Sequence, residues 1–415
     1  MPRQSSCLCL AVVGLLLTAC DNSTPPTAPG ETASPVAAAA AASSPALTLF
    51  QVSAGFGFTC AITTDNVPYC WGADDRGQLG IGDTVGFKWC AGNSTPCVTK
   101  PTQVAGNHRF ARVSAGARHA CGVTADFEGW CWGNNNSGEL GNGTTNGSFV
   151  PLHVNGLRFR QLEAGDGDTC GVTYPDNKLY CWGFDVWGRL GLGNGMTIVQ
   201  QLTPAKVLTT LTFKQVVPGS NNTCAITTTT GRAFCWGSNV YGQVGDSTNA
   251  SFRDRPAEVV GKHVFRQIDV GEFHVCAVTT ADKAFCWGRG TEGAIGNGHR
   301  YLSFWPRAVS GGLQVRRVTT GGRFSCAETT SNKAYCWGIG NSGELGNGSP
   351  VSTVALTPVP VSGNHAFAQL NAGAAHVCGK ITLGFGWCWG DDLAGELGNG
   401  TTASHVLTPV RVVGP

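Results

Sequence analysis

From about residue 47 onward the chain alternates short apolar runs with clusters of Gly, Asn, Asp, Ser and Thr, and no stretch there shows the spacing of an amphipathic helix. The region from residue 110 shows the unit. Phe110-Ala111-Arg112-Val113-Ser114-Ala115-Gly116 reads as a strand ending at a glycine, His119-Ala120-Cys121-Gly122-Val123-Thr124 as a second, and Gly129-Trp130-Cys131-Trp132-Gly133 as a third. Asn136-Ser137-Gly138-Glu139-Leu140-Gly141-Asn142-Gly143 reads as a glycine-held turn, and Pro151-Leu152-His153-Val154 as a fourth strand.

The unit recurs. Cys-Trp-Gly begins at 70, 131, 181, 235, 286, 336 and 388, with spacings between 50 and 61 residues. Four short strands at such a period predict an all-β fold, a seven-bladed β-propeller over residues 47–415. A blade alone leaves both sheet faces apolar, so its neighbours must cover them. Leu79, Leu140, Leu190, Val244, Ile295, Leu345 and Leu397 occupy one repeat position and are expected to plug the space between blades. Ring closure needs the two ends of this region to meet.

Each Cys-Trp-Gly has a partner cysteine ten or eleven residues upstream. In a hairpin with its turn near Asp65, Cys60 and Cys70 face each other, and cross-strand Cα separations of roughly 4.5–5.5 Å suit a disulfide. The same reading pairs Cys121 with Cys131, Cys170 with Cys181, Cys224 with Cys235, Cys276 with Cys286, Cys326 with Cys336, and Cys378 with Cys388. Cys90 and Cys97 make an eighth pair. The 170/181 and 224/235 hairpins carry one extra residue, placed in the turn. Zinc motifs favour closer spacings such as C-x2-C, which these pairs lack.

The N-terminus adds an address. Arg3, an apolar run from Leu8 to Leu17 and small residues before Cys20 describe a signal peptide over 1–19. Leu17-Thr18-Ala19-Cys20 resembles the bacterial lipobox, which implies lipidation of Cys20. Residues 20–46 are rich in Ala, Ser, Thr and Pro with no aromatic residue, a composition for a membrane tether rather than a core. Removing Cys7 and Cys9 with the signal peptide and assigning Cys20 to lipid leaves 16 of the 19 cysteines, all paired. An oxidising, extracytoplasmic location with a lipid anchor follows as the expectation. Charged residues are 13% of the chain and the net charge is +2. No Lys/Arg run beyond pairs such as Arg316-Arg317 is present, which argues against a nucleic-acid partner.

Candidate chemistry lies in the loops. Asp74-Asp75 in the first repeat and Asp391-Asp392 in the seventh follow Cys-Trp-Gly, as do Asn135, Asp185 and Asn239 elsewhere. Such carboxylates could act on a glycosidic bond, yet Asp and Asn are also ordinary turn residues. His119, His274 and His376 share the position two before the first cysteine of their pairs, but in repeats too far apart for one tight metal site, so they are read as hydrogen-bonded turn residues, with no metal or cofactor. The glycine loops lack the preceding parallel strand and following helix of a phosphate-binding loop. The first repeat carries about ten extra residues, in which Phe87, Lys88 and Trp89 sit beside the Cys90/Cys97 pair, a preorganised aromatic loop suited to binding.

Val-x-Ala-Gly, a short strand before Thr, Trp-Gly, Gly-x-Leu-Gly-x-Gly and a closing Pro-x-x-Val together resemble the regulator of chromosome condensation repeat over essentially all of 47–415. The paired cysteines depart from its eukaryotic pattern and suit an exported bacterial branch. With blades cut as in that family, the resemblance implies closure through a shared blade, in which the first two strands complete a sheet begun by Trp389-Gly390 and the last strand. The resemblance implies a platform: a secreted bacterial class of relatives inhibits β-lactamases by binding, and the eukaryotic type promotes nucleotide exchange on a small GTPase through a projecting wedge that the third repeat here lacks. The expectation is a monomeric, lipid-anchored, protein-binding scaffold of the bacterial envelope. Its rivals are an envelope polysaccharide hydrolase or lyase using Asp74, Asp75, Asp391 or Asp392, and an exchange-factor-like activity.

Overall fold

A computed structural model describes residues 45–82, 88–90, 95–195 and 199–415, with the backbone alone at Lys88. The signal peptide, Cys20, most of the tether and Phe87 lie outside the described residues.

The described chain is built from strands. β1 (Leu49–Ala54), β2 (Phe58–Thr63), β3 (Pro68–Ala73), β4 (Lys88–Cys90) and β5 (Thr95–Gln103) form the first antiparallel sheet, in the order β1-β2-β3-β5-β4. The second blade comprises β6 (Phe110–Ala115), β7 (His119–Thr124), β8 (Glu128–Gly133) and the first half of β9 (Ser148–Ala164). β9 runs on to become the innermost strand of the third blade, with β10 (Asp168–Thr173), β11 (Leu179–Asp185) and β12 (Val199–Lys206). Four further four-stranded sheets span 213–258, 265–308, 315–360 and 367–411. That makes seven blades, as the period predicts. The second strand of a blade is its most buried: every residue of β2 and β10 is shielded, because neighbouring blades cover both faces.

The hairpin reading of the cysteines holds in register. Cys60 faces Cys70, and Cys170 and Cys224 face Cys181 and Cys235 despite the extra turn residue. Cα separations in the seven hairpin disulfides are 4.0–4.2 Å. Cys90 is bonded to Cys97 across β4 and β5.

One contact recurs at every blade junction. The indole N–H of each Cys-Trp-Gly tryptophan donates to the backbone carbonyl just before the plug residue of the preceding blade: Trp132 to Gln78, Trp182 to Glu139, Trp236 to Arg189, Trp287 to Gln243, Trp337 to Ala294, Trp389 to Glu344 and Trp71 to Glu396, all at 2.7–2.9 Å. The seven indoles and seven plugs are all at most 2% exposed. The residue after the plug is always glycine. At Gly245, φ is +73° and an added Cβ would lie 2.7 Å from Trp287 Nε1, so only glycine lets the loop and the indole meet.

Closure differs from the sequence expectation. β1 pairs with β2 and β2 with β3 in the first blade, and the last blade is complete in itself, so no sheet is shared between the ends. The ring closes by side-to-side packing. Leu49, Val52 and Trp71 share a core with Leu397 and Val412, and Trp71 supplies the seventh indole bond. The physical reason is that every repeat already contains four strands in chain order, so neither end lacks a partner strand.

Candidate functional site

The loops after the third strand and the turns between first and second strands emerge on one face, the loop face; the turns between second and third strands emerge on the other. On the loop face, Asp74 and Asp392 are 1% and 0% exposed and accept the plug amides of Leu79 and Leu397 at 2.9 and 3.0 Å. Asn135 and Asn239 do the same for Leu140 and Val244. Burial pushes Asp74 up to about 7, opposed by the Leu79 N–H and reinforced by Asp75. Burial likewise lifts Asp392 to about 6, against the Leu397 N–H. Asp75 instead stands at the surface beside Arg76 and Arg118, and Asp391 is partly exposed.

The three histidines neither line the channel nor sit in turns. They begin the second strands, are at most 1% exposed, and reach the next blade. His119 Nε2 lies 2.8 Å from Thr169 Oγ1, His274 Nε2 2.7 Å from Ser325 Oγ and His376 Nε2 2.9 Å from Thr59 Oγ1. Each hydroxyl donates onward to the carbonyl that accepts the indole, at Glu139, Ala294 and Glu396. With the hydroxyl proton so used, the imidazole must donate from Nε2, which fixes a neutral tautomer. Burial, helped by Arg189, lowers His119 to about 3, and burial lowers His274 and His376 to about 4.

The described residues of the first-blade insertion lie against the ring seam. Cys90 and Cys97 pack with Ala73 of blade 1 and Ala394 of blade 7, and Gly400 N–H donates to Thr99. Trp89, beside buried Cys90 and opposite Pro96, is 61% exposed. Of the three residues singled out there, Trp89 is placed at the surface, Lys88 is placed by its backbone in β4, and Phe87 lies outside the described residues.

The innermost strands surround a central channel. Five glutamines clasp the adjacent inner strand through both amide atoms: Gln51 on Val113, Gln161 on Val216, Gln215 on Ile268, Gln267 on Val318 and Gln369 on Val52, at 2.7–3.2 Å. Arg112 and Arg317 hold this position in the other two blades. The channel mouth away from the loop face opens into a cavity of about 840 Å³ lined by Arg112, Arg160, Lys214, Arg266, Arg316 and Arg317. Sequence windows missed this arc because its members come from inner strands of successive repeats. Their common register, two or three residues into the first strand, was the available signal. Deeper in, Glu163 and Asp269 line the channel, and burial raises both carboxyls, Asp269 to about 6.

The chain resembles proteins of similar architecture. It is 30% identical over 266 residues to the ultraviolet-B receptor UVR8 of Arabidopsis thaliana, covering 62% of this chain and 57% of that protein. Against the human E3 ubiquitin-protein ligase HERC2 it is 28% identical over 246 residues, 56% of this chain and 5% of the ligase. It thus spans less than two thirds of either relative. Prp20p from Saccharomyces cerevisiae, whose structure was described with its binding properties to Gsp1p and histones, superposes with a TM-score of 0.71 at 20% identity, covering 85% of this chain and 87% of that one. Human WBSCR16 superposes with a TM-score of 0.71 at 18% identity, covering 83% and 93%. Residues 17–379 match the model of the RCC1-like domain, and with the seven indole-latched blades this places the chain in the RCC1-like domain family.

Proposed function

We propose that the chain is an exported, membrane-tethered scaffold of the bacterial envelope that binds a protein partner on its loop face, around the seam of blades 1 and 7. One observation carries the reading: a disulfide-closed insertion, anchored on the ring seam by buried Cys90 and Cys97, holds Trp89 in solvent. An aromatic side chain on a strand pinned by a neighbouring disulfide binds with little ordering entropy to lose, which is the character of an interface hot spot. Eight disulfides fit an oxidising location outside the cytoplasm. Lipid on Cys20 would supply the tether. Binding by its RCC1-like relative Prp20p to Gsp1p and histones supports a protein partner in kind, without naming one.

The test is affinity capture from envelope and secreted fractions by the wild type, by Trp89→Ala and by a variant lacking 87–97, followed by titration of the purified captured protein. A discrete protein that binds the wild type and is lost with Trp89 supports the reading. Identical captures by all three would place the interface elsewhere. Replacing Cys20 with serine should move the protein from membrane to soluble fractions.

A further inference from the structure

We propose that the channel mouth opposite the loop face is a second binding site, which takes an acidic, aromatic-containing segment of a protein. It goes beyond the loop-face reading and uses none of its residues.

The first observation is the charge. Six cationic side chains line this mouth, against Glu163 and Asp269 deeper in the channel, in a chain whose net charge is only +2. Arg160, Lys214, Arg266 and Arg316 occupy the same inner-strand position in four successive blades. Arg266 and Arg316 are held by Asp282 and by Glu328 with Asn332. Arg317 also lies 3.7 Å from Glu328, and Lys214 Nζ donates to the Phe265 carbonyl, whereas Arg160 Nε is buried without a hydrogen-bond partner and Arg112 replaces a clasping glutamine. Guanidinium forks in a concave, partly desolvated rim suit carboxylates. The two inner acids would keep such a segment at the mouth.

The second observation is independent of charge. Turns between second and third strands need one residue with positive φ, and six blades fill it with Asn66, Asn177, Gly231, Asp282, Asn332 and Gly384. The remaining blade uses Phe127, with φ 71°. A bulky residue in that conformation is strained, and such strain persists where the side chain has a task. Phe127 stacks on Tyr174 with ring centroids 3.8 Å apart and planes within 4°. Both rings line the cavity, Tyr174 is 37% exposed, and the Arg160 guanidinium lies 5.9 Å from its ring centre. An aromatic shelf beside guanidinium groups offers a face to an aromatic side chain while the arginines take flanking carboxylates.

The probe is a fluorescein-labelled peptide of eight Glu and Asp residues around one Tyr, measured by anisotropy against the full-length protein. Its Gln/Asn counterpart and an oligogalacturonate of equal charge are the comparisons. We expect saturable, salt-sensitive binding of the acidic peptide alone, weakened about tenfold or more by the triple replacement R112Q/R160Q/R317Q. Phe127→Asn should weaken binding while raising the melting temperature, which separates loss of a site from loss of the fold. Deletion of 87–97 should leave this binding unchanged, so failure here and failure of the loop-face reading are distinguishable. Equal binding by wild type and triple variant, equal binding of the uncharged peptide, preference for the oligogalacturonate, or no binding would overturn the proposal.

Discussion

The outer and inner contacts between blades obey different rules. At the outer junction the indole and the glycine are the same in all seven blades, the plug is always Leu, Ile or Val, and the hydrogen bond varies by only 0.2 Å around the ring. At the inner junction the glutamine clasp is kept in five blades and replaced by Arg112 and Arg317 in two. The invariant contact builds the ring. Arg317 gains an ion pair with buried Glu328, but where a repeat protein departs from its own rule without such a structural gain, as at Arg112, selection for another task is the economical explanation.

The largest break of this contrast should come at the outer latch. Gly245→Ala adds a left-handed alanine and a clash with Trp287, roughly 2–5 kcal/mol of destabilisation. Trp287→Ala, which empties a wholly buried site, should cost about 3–5 kcal/mol. Denaturant titration reads both. Reduction of the seven hairpin disulfides should also lower the melting temperature sharply, although each closes a loop shorter than the 15 residues for which chain entropy gives about 3 kcal/mol. Reduced and oxidised protein melting together would refute a structural role for the hairpin bonds.

Smaller effects should follow charge and pH. Asp74→Asn should preserve the plug contact, because Asn135 and Asn239 already make it. The Asp74 carboxyl is raised in the folded state, so its favourable contribution is complete below its ordinary value and is lost as pH rises through about 7. The asparagine variant should therefore match the wild type near pH 4 and be the more stable at pH 8. For His119, His274 and His376 the sign reverses. Their folded values are depressed, so their contribution is complete above pH 6.5 and is lost as pH falls towards 4. His274→Gln should shrink the loss of melting temperature between pH 7 and 5 by a few degrees.

The repeat made the blades legible, since hairpin, disulfide and plug are each contained within about 50 residues. Contacts between repeats were harder to read, though one signal was present. Where the residue two before the cysteine is His, the next repeat has Thr or Ser one before its own cysteine; after Phe58 and Phe324 it has Ala120 and Val377. Polar partners follow the three histidines and Asp168, and apolar ones follow the two phenylalanines, because the two positions meet across a junction; Asn222, followed by Val275, is the exception. The basic mouth was hidden for a related reason: its charges come from different repeats, and only the ring assembles them. Phe127 could have been noticed as the one bulky residue in a slot otherwise filled by Asn, Asp and Gly. The closure expectation failed because a complete first blade leaves the last one nothing to borrow.

The most direct measurement is the thermal unfolding of Arg112→Gln beside the wild type at neutral pH. The introduced glutamine should clasp Leu162 as Gln51 clasps Val113, adding about 1 kcal/mol and raising the melting temperature by about 1–2 °C. That result would show that the wild type forgoes stability to keep a cation at the channel mouth. A lower melting temperature would mean that Arg112 is itself part of the ring, and the distinction between invariant scaffold and functional departure would not stand.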